Sequence, residues 1–483
     1  MSEPGPHTLG RWLRDSARRG PARVAIDYGG REVTYAELDR RSEAFASALL
    51  ERGLRRGDRV ATLTGNSPEH VIVFFACAKA GFMLLPLNWR LAAAELRFQL
   101  EDAEPSVFLV EEEHRALAAA TEWPFEPLAP PDDQVVPVAA EVADDDGLLL
   151  IYTSGTTGRP KGAVLTHANC FWTNLSLDLA TSLRADDVVL QILPQFHCGG
   201  WNVQALLAWW KGAKVVLERS FEPERVLSLL AEKHVTTLMG VPAIYLFLSR
   251  EPAYAAADLS SLRLAVVGGA PMPEALIASW QARGVEIVQG YGLTEAAPNV
   301  LCLPPEEAMR KMGSAGKPYA FVDVKLADDG ELLVRGPNVF PGYWRNPEAT
   351  AAVFRDGWLL TGDIAEVDED GCYRIKGRVK DMYISGGENV YPAEVESVLH
   401  EHPSVADVAV VGAVDERWGE VGVAFVVLSS TAREDELLAH CRSRLAGFKV
   451  PKRVRFVDAL PMSAMNKVLK DELRALDVEE VPA

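Results

Sequence analysis

Short apolar runs alternate with amphipathic stretches over the first four-fifths of the chain. The run 147–152 (GLLLIY) predicts a buried strand, and residues 224–234 and 273–283 carry apolar positions at helical spacing. Each helical stretch begins with proline or acidic residues, which favour helix N-termini. Strands that alternate with helices indicate βαβ units and a mostly parallel sheet. Further strands are predicted at 188–193, 213–217, 236–241 and 262–267, and further helices at 35–51 and 69–80.

The pattern changes near Val379, where shorter and more mixed elements begin. A chain of 483 residues exceeds what one hydrophobic core usually serves, so at least two domains are expected. We predict an α/β fold with a large N-terminal domain of βαβ-layered, mostly parallel sheets and a small mobile α+β C-terminal domain. The expected domains are 1–379 and 380–483, the second with helices at 393–400 and 435–446 and strands near Val408 and Val423.

Composition narrows the choice of partners and compartment. The formal net charge is −19 and Lys and Arg do not cluster, which argues against nucleic acid and anionic membrane surfaces. The six cysteines form no C-x-x-C pair, which is typical of a reducing, cytoplasmic setting and excludes a zinc ribbon. The uncharged stretch 188–210 contains Pro194 and several polar residues, so it predicts strand, loop and helix and not a membrane span. A homodimer is compatible with these features.

The segment 153–162 (TSGTTGRPKG) follows the predicted strand 147–152 directly. Its glycines let the backbone turn sharply and direct N–H groups inward, and its hydroxyls and lysine add further donors. It lacks the G-x-x-x-x-G-K-[ST] pattern of a Walker A loop, and Val164 and Leu165 predict a second strand after it. The segment therefore predicts a phosphate loop of another type. Its candidate nucleotide ligands are Thr153, Ser154, Gly155, Thr156, Thr157 and Lys161.

Four further motifs follow the phosphate loop in order. Together with it, over nearly the whole chain, the sequence resembles the adenylate-forming superfamily of acyl-CoA synthetases, adenylation domains and beetle luciferases. Bacterial fatty-acid and aryl-acid CoA ligases are the most similar branch. The resemblance implies a carboxylic acid, ATP, Mg²⁺ and CoA as the molecules bound. The motifs are Tyr291–Glu295 (YGLTE), Thr361–Asp363 (TGD), Gly377–Asp381 (GRVKD) and Ser385–Asn389 (SGGEN).

Glu295 follows a glycine-rich turn after the predicted strand 286–289. Ligands bind at the carboxyl ends of strands in open sheets, and Mg²⁺ prefers oxygen ligands and bridges phosphates. Glu295, with Thr153, is therefore the candidate metal site and a candidate catalytic residue. Asp363 can accept hydrogen bonds from both ribose hydroxyls. The resemblance implies an adenine slot at 268–271 and further nucleotide contacts from Gly269, Ala270, Gln289, Gly290, Tyr291, Thr294 and Arg378.

The resemblance assigns the catalytic, nucleotide-contacting lysine to Lys467, within 461–470 (PMSAMNKVLK). Family members usually carry glycine before this lysine, whereas this chain has Asn466, a residue that also tolerates left-handed backbone. The departure leaves Lys470 as an alternative. The spacing from Pro461 and the following Val-Leu-Lys favour Lys467.

Four residues of the C-terminal part are candidates for binding CoA. Lys380 occupies the family's hinge position, where the backbone must change between two domain poses. Gly386 and Gly387 permit the close backbone approach that a pantetheine arm needs. Trp418 resembles an aromatic residue of CoA-using ligases, with core packing as the alternative.

The candidate acyl pocket lies around His197, which follows the predicted strand 188–193 at a position where the family has a gating histidine or aromatic residue. His197 is therefore also a candidate catalytic residue. A nucleophilic pair of Cys198 with His197 is disfavoured, because neighbouring residues at a strand end point in opposite directions. Trp201 is either a wall of the pocket or a core tryptophan, and a wall there predicts a medium-chain or aromatic acid. The pocket candidates are His197, Gly200, Trp201 and Gly292.

These residues predict an ATP-dependent acyl-CoA synthetase. The carboxylate attacks the α-phosphorus of ATP and expels pyrophosphate, and the thiol of CoA then displaces AMP from the acyl-adenylate. Three alternatives remain: an adenylation enzyme that loads an aryl or fatty acid onto a carrier protein, a luciferase-like oxygenase, and a non-catalytic nucleotide-binding regulator. The absence of Asp after Phe196 argues against amino-acid substrates, and Lys467, Glu295 and Asp363 argue against a regulator.

Overall fold

The chain forms two compact units in a computed structural model. The structure describes residues 7–129, 141–153, 159–270, 272–385, 388–415, 417–463 and 468–479, except for the side chains of Pro305, Val478 and Glu479. Unit one comprises residues 1–324 and 334–359, and unit two comprises residues 325–333 and 360–483.

The first sheet of unit one contains nine strands, and its central strands all run parallel. The three strands at its edges pair antiparallel. Parallel sheets are covered by helices on both faces and read as continuous apolar runs, as the sequence of the central strands does. In spatial order the strands are Lys317–Pro318, Asn299–Leu303, Ile287–Gly292, Leu264–Val267, Thr237–Gly240, Val188–Gln191, Lys214–Leu217, Val24–Tyr28 and Arg31–Thr34.

The second sheet contains seven strands, again with a parallel centre. The strand before the phosphate loop, Gly147–Thr153, pairs antiparallel with the strand after it, Lys161–Thr166. The second strand that the sequence predicts after the loop is therefore confirmed. In spatial order the strands are Gly342–Tyr343, Lys161–Thr166, Gly147–Thr153, Met83–Leu87, Arg59–Leu63, Val107–Val110 and Glu126–Pro127.

Helix ends in unit one follow local sequence signals. The hydroxyl of Thr34 accepts from the amide of Glu37 at the start of one helix, and Ser67 caps another in the same way. That second helix ends at Gly81 in the left-handed conformation (φ +73°). The helices are Leu9–Arg19, Tyr35–Glu51, Pro68–Ala80, Ala93–Ala103, Arg115–Ala120, His167–Thr181, Gly199–Asn202, Ala205–Lys211, Pro223–Glu232, Pro242–Arg250, Glu274–Gln281, Pro305–Ala308 and Pro347–Ala352, with 3₁₀ turns at Glu112–His114, Pro252–Ala256 and Thr294–Ala296.

A third sheet of five short strands lies where the chain passes from unit one to unit two. The strand Trp358–Val367 pairs antiparallel with Phe354–Arg355 and with Tyr373–Arg378. Its strands are Asp323–Leu326, Glu331–Arg335, Trp358–Val367, Phe354–Arg355 and Tyr373–Arg378.

Unit two continues with a sheet built on a long antiparallel pair, Val405–Asp415 and Gly419–Leu428. Its core is aliphatic and includes Val410, Val426 and Leu437, all fully buried. The remaining strands are Glu388–Val390, Tyr383–Ser385 and Arg453–Phe456, and the helices are Pro392–His400, Glu434–Arg442 and Lys470–Glu479.

The predicted fold class is confirmed: a large N-terminal part of mostly parallel sheets is followed by a smaller α+β part. By packing, unit two takes residues 325–333 and everything from 360 onward, whereas the predicted domain boundary at 379/380 stays a prediction. Within the described ranges, no helix is long and apolar enough to cross a membrane, and residues 188–210 form a strand, a loop and two short helices. All six cysteines are buried, and none of them forms a disulfide.

Candidate active site

Four neighbouring parallel strands of the first sheet end side by side. They are Val188–Gln191, Thr237–Gly240, Leu264–Val267 and Ile287–Gly292. Parallel strands present their carboxyl ends along one edge of a sheet, where ligands bind. The structure therefore brings together the segments that follow these strands, which carry the predicted acyl, adenine and phosphate contacts.

The predicted adenine slot is lined by backbone and small residues. A Cβ placed on Gly268 would lie 3.2 Å from the carbonyl oxygen of Gly290 on the next strand. Gly269 has a positive φ of +83°, and it and Ala270 are exposed. A flat, accessible surface results, while Pro271 lies outside the described residues. Behind it, Gln289 is buried and its amide donates to the carbonyl oxygen of Ser314 (3.3 Å).

Glu295 lies in a 3₁₀ turn at the end of this edge and is held by three groups. Its Oε1 accepts from the hydroxyl of Tyr343 at 2.9 Å and from Oγ1 of Thr153 at 3.4 Å. Its carbonyl oxygen accepts from the amide of Phe340 at 2.9 Å. Burial and the negative charge of Glu295 raise the pKa of Tyr343, so its phenol stays protonated and donates the hydrogen bond.

The donor set around Glu295 suits Mg²⁺. The carboxylate and the Thr153 hydroxyl supply oxygen, which this ion prefers. Across the described ranges, no three His, Cys, Asp or Glu side chains cluster as a metal site. An ion that takes one or two protein oxygens and completes its shell with water and substrate phosphates fits this arrangement.

The phosphate loop is flanked by Thr153 and Lys161, which are register partners in the antiparallel pair. The Lys161 ammonium nitrogen lies 5.4 Å from the ring centre of Tyr343. The loop residues Ser154, Gly155, Thr156 and Thr157 lie outside the described residues, so their predicted phosphate contacts stay predictions.

The segment that contains His197 touches the Glu295 turn. The thiol of Cys198 donates to Oγ1 of Thr294 at 3.5 Å. Thr294 is a predicted nucleotide contact whose hydroxyl can donate to the α-phosphate, so the candidate acyl segment lies against a candidate α-phosphate donor. His197 itself is half-buried and packs edge-on against Phe196, with ring centres 4.6 Å apart. Open space lies beside Gly199, where an added Cβ would meet no heavy atom within 4 Å.

Two of the predicted pocket glycines have no room for a side chain. A Cβ on Gly200 would lie 2.3 Å from the carbonyl oxygen of Pro194, and one on Gly292 would lie 1.7 Å from that of Pro298. Gly200 is buried within its own turn, so the opening lies at Gly199 and not at Gly200.

The prediction that Trp201 forms a wall of the acyl pocket is wrong. The indole is fully buried and stacks on Phe74 with ring centres 4.5 Å apart. Its N–H donates to the carbonyl oxygen of Gln195 at 2.6 Å. The indole packs against Phe74 and donates its hydrogen bond to Gln195, so no part of its surface remains to contact an acyl chain. Trp201 is therefore a core residue.

Trp201→Phe is therefore expected to affect stability and not acid preference. The change leaves the buried Gln195 carbonyl without its donor, which should cost about 1–3 kcal/mol of unfolding free energy. Thermal unfolding and kcat/KM over a set of acids measure the two effects. Trp209→Phe is the matched control, because that buried indole donates to the carbonyl oxygen of Ala25 at 3.1 Å. A shift in acid preference for Trp201→Phe alone would contradict the core assignment.

In unit two, Asp363 and Arg378 are register partners on adjacent strands. Nε of Arg378 lies 3.3 Å from Oδ1 of Asp363, whose side chain is largely buried. Gly362 before it has a positive φ of +72°, and its amide donates to Glu331 Oε1 at 2.8 Å. The two predicted ribose contacts thus lie together.

Two of the candidate CoA residues, Lys380 and Trp418, lie in exposed turns. Lys380 lies in the exposed turn after the strand Tyr373–Arg378. Trp418 is 38% exposed, so the core alternative is wrong for it. Two cations flank its ring: Arg417 at 5.0 Å and Lys452 at 5.4 Å from the ring centre. Gly386 and Gly387 lie outside the described residues.

Lys467 also lies outside the described residues, whereas its alternative, Lys470, is described. Nζ of Lys470 lies 2.7 Å from Oε1 of Glu396, and both side chains are mostly buried. This ammonium therefore already has a carboxylate partner within unit two.

Tyr343, Asn338 and Lys452 were not predicted from the sequence. Tyr343 and Asn338 lie in the segment 336–344 (GPNVFPGYW), whose prolines, glycines and three aromatic residues were a usable signal. Lys452 carried no motif of its own, and only its position beside Trp418 identifies it.

Comparison with known proteins agrees with this geometry. The family described as AMP-binding enzyme matches residues 13–344, and the AMP-binding enzyme C-terminal domain matches residues 394–467. A feruloyl-CoA synthase from Amycolatopsis sp is 46% identical, over 96% of this chain and 98% of that protein. An indoleacetate–CoA ligase from Aromatoleum aromaticum is 42% identical, over 97% of this chain and 98% of that protein.

Among solved structures, the o-succinylbenzoate CoA synthetase of Bacillus subtilis in complex with its acyl-adenylate intermediate has a TM-score of 0.89 and 35% identity, over 96% of this chain and 97% of that chain. The same enzyme with ATP and magnesium ion also has a TM-score of 0.89, over 96% of this chain and 98% of that chain. This chain accordingly belongs to the AMP-binding enzyme family and is an acyl-CoA synthetase, an AMP-forming acid–thiol ligase that uses ATP, Mg²⁺ and CoA and proceeds through an acyl-adenylate.

Proposed function

We propose that this ligase activates an acid with an aromatic ring, and that the acid's carboxylate is held between the His197 segment and the Thr294–Glu295 turn. The proposed place of the carboxylate rests on the contact of the Cys198 thiol with Oγ1 of Thr294 (3.5 Å). It brings an opening beside Gly199 next to the candidate α-phosphate donor.

The aromatic class rests on the relatives. The two curated proteins reported above, at 46% and 42% identity, are named for feruloyl and indoleacetate substrates, and both acids contain an aromatic ring. The sequence suggested a medium-chain or aryl acid because Trp201 could form a wall of the acyl pocket. Trp201 is buried, so this reason no longer holds. The medium-chain fatty acid therefore has no structural support, and the aryl acid becomes the proposal.

The test is a competition among acids. A hydroxycinnamic acid, an indole acetic acid, octanoate and palmitate are incubated together with ATP, Mg²⁺ and CoA, and the acyl-CoA products are separated by mass. We expect an aryl acid to exceed both fatty acids at least tenfold in kcat/KM, about 1.4 kcal/mol of transition-state binding. A preference for palmitate would contradict the proposal. Formation of adenylate without CoA-dependent turnover would favour loading of a carrier protein instead.

Each residue has a proposed part in adenylation, which depends chiefly on positioning and charge neutralisation. Lys161 and the loop before it bind the β- and γ-phosphates, and Thr294 donates to the α-phosphate. Glu295 and Thr153 are the proposed ligands of Mg²⁺, which neutralises phosphate charge when bound. Asp363 accepts from the ribose hydroxyls, with Arg378 beside it (3.3 Å).

The lysine that contacts the carboxylate and the α-phosphate is proposed to be Lys467 and not Lys470. An ammonium that already pairs with Glu396 at 2.7 Å would have to give up this partner before it could contact a substrate. The same Glu396 oxygen accepts from the amide of Val410 at 2.8 Å, so the carboxylate is itself fixed in place.

The thioester step is proposed to follow a rotation of the C-terminal domain, 380–483, about Lys380. Trp418, with Arg417 and Lys452 beside its ring, offers an aromatic face and two cations to the nucleotide part of CoA. Gly386 and Gly387 are proposed to let the pantetheine arm of CoA approach the backbone closely. We propose a cytoplasmic location, with which six cysteines that form no disulfide agree. Light scattering tests the expected homodimer.

Lys380→Pro tests the hinge. Proline fixes φ, so the turn should keep one backbone conformation and the second domain pose should become inaccessible. We expect thioester formation to fall at least tenfold while adenylate formation persists, measured by CoA-dependent AMP release against pyrophosphate exchange. Lys380→Ala, which removes only the side chain, should retain both. Full overall turnover of Lys380→Pro would rule out rotation at this residue.

A further inference from the structure

Residues 338–344, named here the brace, contact the Glu295 turn with backbone and side-chain groups. The side-chain amide of Asn338 donates through Nδ2 to the carbonyl oxygens of Ala296 (3.0 Å) and Asn299 (2.9 Å). The amide of Phe340 donates to the carbonyl oxygen of Glu295 (2.9 Å). The turn that carries the carboxylate is thereby fixed along its backbone.

The other end of the brace joins the strand that follows the phosphate loop. Gly342 and Tyr343 pair antiparallel with Val164 and Ala163. The amide of Trp344 then donates to the carbonyl oxygen of Gly162 at 2.7 Å. The brace therefore links the phosphate-loop strand with the Glu295 turn, and both contacts lie within unit one.

The side chain of Tyr343 repeats this link between the two elements. Its hydroxyl donates to Oε1 of Glu295 at 2.9 Å, and Nζ of Lys161 lies 5.4 Å from its ring centre. Phe340 packs edge-on against the ring, with centres 4.9 Å apart. A half-buried ring held on these sides has little freedom to rotate, so the direction of its hydroxyl is defined.

We propose that Tyr343 is a positioning residue for the metal-binding carboxylate: its hydroxyl orients Glu295 toward Mg²⁺–ATP while its ring directs Lys161 toward the same phosphates. The inference rests on the proposed role of Glu295 as the Mg²⁺ ligand. Hydrogen-bonding partners of a ligating side chain set its orientation, and their loss commonly costs 10–100-fold in metal affinity or activity.

The hydrogen bond and a metal bond are compatible at one carboxylate. An ionised carboxylate has about four lone-pair sites. On Oε1 the phenol occupies one of them and the Thr153 hydroxyl another. The opposite role is also physically defined. If the phenol instead occupied the position of the ion, its removal would make Mg²⁺–ATP bind more tightly.

Tyr343→Phe separates these roles, because it removes the hydroxyl and keeps the ring beneath Lys161. We expect Mg²⁺–ATP to bind about 10–100-fold more weakly, measured by titration calorimetry. Binding of ATP in excess EDTA should stay unchanged, since no metal ligand is then in use. The Mg²⁺ concentration for half-maximal adenylation should rise, and saturating Mg²⁺ should recover most of the rate.

Two variants serve as controls. Tyr35→Phe removes a buried phenol that donates to the carbonyl oxygen of Ala213 at 2.7 Å, away from this turn, so it reports the effect of losing such a hydroxyl on stability alone. Its Mg²⁺ dependence should match the wild type. Glu295→Gln reports how much of the Mg²⁺ dependence the carboxylate itself supplies.

The outcomes distinguish the two assignments. If Glu295→Gln weakens Mg²⁺–ATP binding and Tyr343→Phe does not, the positioning role is wrong while the metal ligand stands. Tighter binding by Tyr343→Phe would likewise overturn the positioning role. If Glu295→Gln leaves Mg²⁺–ATP binding unchanged, the metal assignment is wrong and the role of Tyr343 falls with it.

Discussion

Lys467→Ala is expected to lower the rate of adenylate formation by about 10²–10³-fold, as loss of a positioned charge contact at a transition state does. Acid-dependent pyrophosphate exchange measures this half-reaction. The variant should still convert synthetic acyl-adenylate and CoA to thioester, since the lysine is proposed to act only in adenylation. Equal loss in both half-reactions would contradict the assignment.

Lys470→Ala is the matched control for this prediction. It removes the partner of Glu396 in unit two, so a small loss of stability is expected, while pyrophosphate exchange should remain within a few-fold of wild type. If Lys470→Ala abolished adenylation and Lys467→Ala did not, the catalytic lysine would be Lys470.

Gly292→Ala is expected to cause the second large effect. The new methyl group would lie 1.7 Å from the carbonyl oxygen of Pro298, a backbone atom that cannot move without its loop. The shift passes to Thr294 and Glu295, and a displacement of about 1 Å at a reacting centre can cost 10²-fold in rate. We expect adenylation to fall by about that factor and the melting temperature to drop, as overpacking costs about 1–3 kcal/mol.

Gly199→Ala is the control, because its methyl group would meet no heavy atom within 4 Å. It should leave the melting temperature unchanged and alter only KM for the acid. Wild-type adenylation by Gly292→Ala would show that the Glu295 turn tolerates displacement and is not a precise part of the site.

The fold was largely predictable, because apolar runs and helical spacing are local signals. The helix predicted at 35–51 matches Tyr35–Glu51, and the strand predicted at 147–152 lies within Gly147–Thr153. The strand predicted at 188–193 ends at Gln191 instead, since Pro194 and the turn after it draw the chain away from the sheet.

Candidate site residues could be identified from the sequence where they belong to a recognisable motif. They could not be identified where their role depends on a contact with a residue far away in the sequence. Glu295 and Asp363 stand in recognisable motifs, whereas Tyr343 meets Glu295 from 48 positions away along the chain. Trp201 shows the same limit in reverse. Its position in the sequence suggested that it lines a pocket. In the structure its ring stacks on Phe74, which lies on a helix far earlier in the sequence.

The burial of the cysteines bears on self-acylation. An acyl-adenylate reacts with thiolates, and the thiolate is the nucleophilic form of cysteine. Burial raises the pKa of Cys170 to about 12 and that of Cys302 to about 11, so both stay protonated near neutral pH. Cys198, next to Thr294, is 6% exposed and directs its proton to that hydroxyl. Cys170 and Cys302 thus offer the activated intermediate little thiolate, which leaves the acyl group for the incoming thiol of CoA.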